Sequence, residues 1–245
     1  MASPLLRKLL RGLLSAGILG SCALGILGLG SVRLRQLQTQ ALSPALAEAQ
    51  QALSLNALNR LPKGGLGFNN MIADWAFLRF LDYYGDEEAR DKTGFGTSPI
   101  FFDVITSRDP RFVDTYLFLS GTLSYQLGQP ELAMKYMQRG LDALSPQTHA
   151  RAYQVPSLMG MDQLLLLGDT TGASQSYAKA ANWAAGSIDP QEREVAQIFN
   201  RVSTYLNGDP DSSRVRFWAW SQIFAQSRAI DDRKTQARAA KNSSP

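Results

Sequence analysis

Two short stretches decide the fold: Gly128-Gln129-Pro130-Glu131-Leu132-Ala133 and Gly168-Asp169-Thr170-Thr171-Gly172-Ala173. They begin 40 residues apart, and each separates two segments whose apolar residues recur with helical spacing. Glycine adopts the positive φ angles of tight turns, so each stretch predicts a turn that joins two helices. The sequence therefore predicts an internal repeat of helical hairpins.

Small residues recur at matching distances around the two turns. One lies seven residues before the first turn glycine, and others lie five and twelve residues after each turn glycine. An aromatic residue separates the last two in the second unit, where Met161 takes the place of the first small residue. Small side chains let antiparallel helices approach closely. We predict close packing of the repeat helices at these positions: Gly121, Ala133, Gly140, Ala173, Tyr177 and Ala180.

This spacing resembles the tetratricopeptide repeat, over residues 112–146 and 150–185. The 40-residue period exceeds the roughly 34 residues usual in that family. The resemblance implies stacked helical hairpins with a groove that binds a protein or peptide. Residues of the first helix line the inner surface in this family. The resemblance therefore assigns partner binding to Thr115, Phe118, Thr122 and Tyr125.

Segments on either side of the repeat are also predicted to be helical. Residues 69–84 are apolar over much of the helix circumference, which predicts a heavily buried helix. A loop at 85–97 leads to a second helix at 98–108. Residues 191–206 and 213–229 are predicted to form a terminal hairpin that covers the open end of the stack. No stretch shows the alternation of a β-strand, so the predicted fold is all-α.

The stretch from Gly67 to Asp86, GFNNMIADWAFLRFLDYYGD, resembles uncharacterised membrane-anchored repeat proteins of bacteria, including photosynthetic bacteria. That resemblance implies a scaffold and no chemistry. Asp74 and Arg79 lie on this otherwise apolar helix and are candidate partner-binding residues. The alternative is that they lie at the solvent edge or pair with other helices, since buried charges are rare unless they are paired.

An uncharged run of 20 residues at 13–32 has basic residues on both sides. About 20 apolar residues are enough to cross a bilayer as a helix, so a transmembrane anchor is predicted. A cleaved secretory signal and a lipoprotein signal remain as alternatives, because Leu19-Gly20-Ser21-Cys22 resembles a lipobox. A slight excess of basic residues before the run favours a single-pass orientation with the domain on the periplasmic or lumenal side.

The basic charge lies at the two ends of the chain. Residues 1–35 and 214–245 each carry a net charge of +5, whereas residues 36–213 carry −6. An acidic middle argues against nucleic-acid binding, which requires basic charge on the domain itself. We predict five regions: a basic N-terminus at 1–12, the anchor at 13–32, a partly helical spacer at 33–66, the repeat domain at 67–230 and a disordered tail at 231–245.

The sequence predicts no catalytic, cofactor or metal site. It holds one histidine, His149, in the link between the repeats, and one cysteine, Cys22, within the apolar run. A metal site needs several converging ligands, and a phosphate-binding loop needs a glycine-rich turn after a strand; the sequence shows neither pattern. The pair Glu87-Glu88 is interpreted as solvated loop residues.

These observations predict a membrane-anchored scaffold or adaptor. Its partner would be a protein or peptide of a membrane complex, which the scaffold helps to assemble or stabilise. The alternatives are a permanent accessory subunit of a larger membrane complex and, last, an enzyme of unrecognised type. Trp218 and Trp220 cannot both face inward on one helix, so one of them is expected at an exposed contact surface.

Overall fold

The computed structural model describes Gly25, Gly28, residues 43–62 and residues 67–243. The predicted anchor at 13–32 lies outside the described residues, apart from the two glycines, and so does the basic N-terminus at 1–12. None of the described helices combines the length and the apolar character that crossing a membrane requires. The regular elements in the described ranges are all helices, with no strand among them, which confirms the all-α prediction for this part of the chain.

Between residue 43 and the repeat, the described residues form four helices: α1 (Pro44–Arg60), α2 (Asn69–Gly85), α3 (Glu87–Thr93) and α4 (Ser98–Arg108). The bounds of α2 and α4 agree with the prediction. Helix α3 occupies part of the stretch predicted as a loop, because Asp86 caps it by accepting a hydrogen bond from the Ala89 main-chain nitrogen.

Helix α1 belongs to the packed domain, so the interpretation of residues 33–66 as a spacer is wrong over α1. Leu55 is fully buried in the main hydrophobic core. Glu48 forms an ion pair with Arg90 of α3, and Arg90 is almost completely buried. Paired, buried groups of opposite charge fix α1 against the rest of the domain.

The two repeat units have the predicted order of elements, and in each the first helix ends in a π-helical segment. The first unit contains α5 (Thr115–Leu119), π1 (Ser120–Gln126) and α6 (Pro130–Ala143). The second contains α7 (Gln154–Asp162), π2 (Gln163–Leu167) and α8 (Thr170–Ala185).

Both turns close in the same way. Gly128 and Gly168 have φ angles of 58° and 67°, in the left-handed region that favours glycine. The main-chain nitrogen of Gln129 donates to the Leu123 carbonyl at 2.7 Å. The equivalent nitrogen of Asp169, 40 residues on, donates to the Gln163 carbonyl at 2.9 Å. The internal repeat is therefore present in the backbone as well as in the sequence.

Of the predicted packing residues, Ala133, Ala173 and Ala180 are fully buried, Gly140 is buried against a tyrosine ring and Tyr177 is half-buried. Gly121 is exposed, and a Cβ atom there would meet no other atom within 4 Å, so the prediction of close packing at Gly121 is wrong.

The small buried residues of the first helices lie one position earlier, at Ser120 and Gly160. Ser120 is fully buried. A Cβ atom on Gly160 would stand 3.0 Å from the Tyr177 ring. Because π1 begins at Ser120, helical spacing counted back from the turn does not give the register of α5.

Successive helices pack against one another along the chain. Helix α2 packs on α4, α4 on α6, α6 on α7 and α7 on α8, and α8 on α10 (Ala196–Leu206). One continuous hydrophobic core runs from Leu55 of α1 to Met159 of α7.

After α8 the chain continues through α9 (Pro190–Arg193) and α10 to α11 (Ser213–Ala229) and α12 (Arg233–Asn242). Helix α10 packs on α8, whereas α11 packs on α12 and on both π-helical segments. The predicted terminal hairpin of residues 191–206 and 213–229 is therefore wrong: α11 crosses the two turns of the repeat and pairs with the next helix.

The prediction of a disordered tail at 231–245 is also wrong over α12. Asp232 caps this helix by accepting a hydrogen bond from the Thr235 main-chain nitrogen at 3.2 Å. Thr235 and Ala239 are buried on the side that faces the domain. The Thr235 hydroxyl and the Arg238 guanidinium both donate to the Leu127 carbonyl at the end of the first repeat helix. These contacts satisfy an acceptor that the helix end leaves unpaired.

Candidate functional site

The positions assigned to partner binding by the resemblance do not form a surface. Thr115 and Thr122 are 0% and 1% exposed. Phe118 is half-buried and packs edge-on against the rings of Phe77, Phe80 and Tyr84. Thr115 and Thr122 are part of the core, and Phe118 packs against it. The prediction is wrong at the two threonines because their side chains are buried where α5 and π1 pack against the neighbouring helices.

The fourth predicted position, Tyr125, belongs to a buried polar cluster around Asp162. The Asp162 side chain is fully buried at the end of α7. The Ser120 hydroxyl donates to one carboxyl oxygen at 3.0 Å, and the Ser124 hydroxyl donates to the other. The Tyr125 hydroxyl also interacts with this carboxyl group. The cluster joins the first helices of the two repeat units across their interface.

The Asp162 carboxyl binds its proton more tightly than an exposed aspartic acid does. Burial raises the pKa of the Asp162 carboxyl to about 7, although the hydrogen bonds from Ser124, Ser120 and Tyr125 oppose that rise. Burial first, and then the negative charge of Asp162, raises the pKa of Tyr125 well above its usual range. Because the carboxyl group is closed off from solvent, we interpret this cluster as a structural link between the repeats, not as a catalytic site.

The exposed side of α2 is apolar. Met71, Trp75 and Leu78 lie on one side of this helix and are 60%, 44% and 62% exposed. The opposite side, which includes Ala73, Ala76, Phe80 and Tyr83, is buried in the core. A row of large exposed apolar side chains on one helix is unusual for a surface that only contacts water.

An apolar groove of about 240 Å³ opens beside this row. Its lining consists of Leu58 from α1 and Met71, Ile72 and Trp75 from α2. The lining residues that the structure describes present only apolar atoms, so they offer no hydrogen bond to a substrate or cofactor. It can hold an apolar side chain. We call the surface made by Met71, Trp75, Leu78 and this groove the α2 face.

Charged residues border the α2 face. Asp74 and Arg79 are both exposed, in agreement with the interpretation that places them at the solvent edge. Arg79 lies 3.5 Å from the Asp82 carboxylate, one turn further along the helix. This exposed ion pair contributes little to stability. An apolar centre with a charged border is the usual composition of a protein–protein interface.

Arg108 holds the groove wall in place. Its guanidinium donates to the carbonyls of Leu58, Leu61 and Pro62, at the C-terminal end of α1, and to the Asn69 side chain at the start of α2. A cation at this end of α1 satisfies carbonyls that have no partner within the helix and complements the helix dipole. One buried arginine therefore fixes the two helices that form the groove.

The α2 face could not be recognised from helical periodicity because α2 is apolar on both sides. Helical periodicity shows which residues share a side but not which of two apolar sides faces the core. The signal that was present is Asp82, which lies on the same side as Met71, Trp75 and Leu78. A charged residue on one apolar stripe marks that stripe as the exposed one.

No group of metal-ligating side chains is found among the described residues. His149 is half-buried in the link between the repeats, and its Nδ1 accepts a hydrogen bond from the Arg151 main-chain nitrogen at 3.1 Å. Glu87 and Glu88 are exposed in the first turn of α3, where carboxylates favour the helix dipole. Each of these residues has a structural explanation.

Comparisons with known proteins find no matching family model, no matching curated protein and no matching solved structure. The α2 face is therefore assigned a role from its own geometry.

Proposed function

We propose that this chain is a membrane-anchored scaffold of helical hairpins of the tetratricopeptide type, which binds a protein partner through the α2 face. The observation that carries the proposal is the exposed row of Met71, Trp75 and Leu78 beside the apolar groove. Burying such a row against a partner removes a large apolar area from water, which favours association.

The hairpin architecture supports a scaffold. Stacked helices make a rigid support, and α1 and α2 are fixed on it by the buried Arg108 and by the ion pair of Glu48 with Arg90. A surface held in one conformation loses little entropy when it binds. The partner therefore meets a preformed groove.

The chemistry of the α2 face defines the kind of partner. The groove takes one apolar side chain, and the row along α2 extends over two helical turns. A partner helix with apolar residues at i, i+3, i+4 and i+7 matches that row. Acidic Asp74 and basic Arg79 at the border would set its orientation through complementary charges on the partner.

The apolar run at 13–32 supports the anchor. We place the domain on the periplasmic or lumenal side, as its flanking charges favour, and the partner in a membrane complex that lies at the same surface. Anchoring confines both proteins to one surface and so raises their effective concentration. In this account the scaffold helps to assemble or stabilise that complex.

The proposal is tested by the size of the native complex. Membranes of cells that produce the chain are extracted with mild detergent, and the chain is followed on a native gel. The double substitution Met71→Ser and Leu78→Ser is expected to shift the chain to a smaller species. The control Ile198→Ser and Tyr205→Ser changes two exposed apolar residues of α10 and should leave the size unchanged. Equal migration of both variants with the native chain would contradict the proposal.

A further inference from the structure

Helix α11 has a second exposed apolar surface, on the side opposite to its contact with the repeat. Phe217 and Trp218 are 57% and 66% exposed, and Val215 beside them is 46% exposed. Trp220 and Ile223 lie on the other side and are buried over the repeat turns. Phe217 and Trp218 therefore do not contribute to the packing of the core.

Arginines lie on the same side as the aromatic residues. Arg214 precedes Trp218 by four residues and Arg228 follows Phe217 by eleven, and both spacings return to one side of a helix. Both arginines are exposed, and neither forms an ion pair with another described residue. We call Arg214, Phe217, Trp218 and Arg228 the α11 face.

Acidic residues lie only at the ends of α11, since the helix itself contains none. At its start, Asp211 accepts hydrogen bonds from the main-chain nitrogen and the hydroxyl of Ser213. At its end, Asp232 caps α12 and Asp231 lies 3.5 Å from Arg233. The charge of the α11 face is therefore positive along its whole length.

We propose that the α11 face binds the surface of an anionic lipid bilayer. Tryptophan and phenylalanine partition into the boundary between headgroups and acyl chains, and arginine pairs with lipid phosphates. Clustered basic residues are attracted to anionic lipids. Arg214 and Arg228 make the α11 face positively charged, which complements the negative charge of such a bilayer.

Val215 favours lipid over a single-stranded nucleic acid as the occupant. Bases stack on aromatic rings, but an aliphatic side chain offers them neither a ring nor a hydrogen bond. Val215 precedes Trp218 by three residues, so its exposed side chain extends the apolar surface of Trp218. The inference deepens the proposed function, since it relies on the proposed anchor to bring α11 close to a bilayer, and it leaves the α2 face free for the protein partner.

The test uses the full chain reconstituted into vesicles with brominated acyl chains, which quench tryptophan fluorescence on contact. Vesicles of phosphatidylcholine alone are compared with vesicles that also contain phosphatidylglycerol. The native chain should be quenched more strongly in the anionic vesicles. Trp218→Phe should lose most of this difference, whereas Trp183→Phe, a control on α8 outside both faces, should retain it. The double substitution Arg214→Gln and Arg228→Gln should abolish the preference for anionic vesicles.

High salt gives a second readout. At about 1 M salt the screening length falls to about 3 Å, so the extra quenching should decrease while the anchored chain stays with the vesicles. The inference is overturned if Trp218→Phe is quenched like the native chain or if both vesicle types quench equally. It is also overturned if an oligonucleotide, and not lipid, shields Trp218 from solvent. Loss of the chain from the vesicles in high salt would contradict the proposed anchor and not the α11 face. The native-gel test of the α2 face depends neither on the quenching nor on this retention of the chain.

Discussion

Gly140 lies directly against the ring of Tyr116. A Cβ atom placed on Gly140 would stand 2.5 Å from Cζ of Tyr116 and 2.6 Å from its hydroxyl oxygen. Tyr116 is fully buried, and its hydroxyl donates to the Pro110 carbonyl at 2.8 Å. The ring has no room to turn away, so the two helices of the first repeat unit approach at a distance that glycine alone permits.

The substitution Gly140→Ala should therefore destabilise the domain. Overpacking of a rigid core costs about 1–3 kcal/mol, which exceeds the gain in helix propensity from alanine. The free energy of unfolding is measured by urea denaturation. Gly121→Ala is the matched control: this glycine lies in a first helix of the same unit, but open space surrounds it. Equal effects of the two substitutions would show that the Tyr116 contact is not tight.

Asp162 should make the stability of the domain depend on pH. Its pKa is about 7 in the folded domain and 3.8 in an unfolded chain. Between these values the folded chain keeps a proton that the unfolded chain releases. A rise in pH from about 4 to about 7 should therefore lower the free energy of unfolding, by up to about 1.4 kcal/mol per pH unit. Urea midpoints measured across this range give the slope.

The variant Asp162→Asn isolates this contribution. The asparagine amide stays neutral at all these pH values, so the free energy of unfolding should fall less between pH 4 and pH 7. The stability of the variant should therefore rise relative to that of the native chain as the pH rises. Asp142→Asn, which changes an exposed carboxylate of α6, is the control and should follow the native profile. Parallel profiles for Asp162→Asn and the native chain would show that Asp162 is not protonated in the folded domain.

Trp220 should matter more to stability than its neighbour Trp218. The Trp220 indole nitrogen donates to the Leu166 carbonyl at 3.0 Å, and its ring covers Gly128. Trp220→Phe keeps an aromatic ring but leaves a buried carbonyl without its donor, which costs about 1–3 kcal/mol. Trp218→Phe changes a side chain that is 66% exposed and should be close to neutral in thermal unfolding. A larger loss of stability in Trp218→Phe than in Trp220→Phe would contradict the placement of α11.

Arg108 should determine whether α1 stays on the domain. Arg108→Gln replaces the guanidinium, which donates to the C-terminal carbonyls of α1, by a shorter amide with fewer donors. Amide hydrogen exchange of residues 44–60 should therefore become faster, while that of α6 and α8 changes little. The control is Arg60→Gln, which removes an exposed cation from the last turn of α1 itself. Unchanged protection of the α1 amides from exchange in Arg108→Gln would show that the core contact of Leu55 is enough to hold α1 on the domain.

Several features of the fold could be predicted from sequence because local chemistry determines them. Gly128 and Gly168 mark turns that need positive φ angles, and both turns lie where the repeat places them. The bounds of α4 follow from its proline at the start and the Asp109-Pro110 stop. The expectation that one of Trp218 and Trp220 is exposed is confirmed, since Trp218 is exposed and Trp220 is buried.

Other features depend on tertiary contacts that no local pattern shows. The π-helical segments shift the register, so the small packing residues are Ser120 and Gly160, each one position before the expected Gly121 and Met161. Helix α12 has the composition of a disordered tail, yet Thr235 and Ala239 are small enough to pack on the repeat turns. The α2 face was missed because the packing of α4 against α2 decides which of its two apolar sides is buried.

The central claim, that the α2 face binds a protein partner, is tested most directly by photo-crosslinking in cells that produce the chain. A photoactivatable residue at Leu78 should crosslink one defined protein. That product should be absent when the same residue is placed at Tyr205 of α10, and it should be lost when Met71→Ser and Trp75→Ser are added. Crosslinking at Leu78 to lipid alone, or to the same proteins as at Tyr205, would contradict the account.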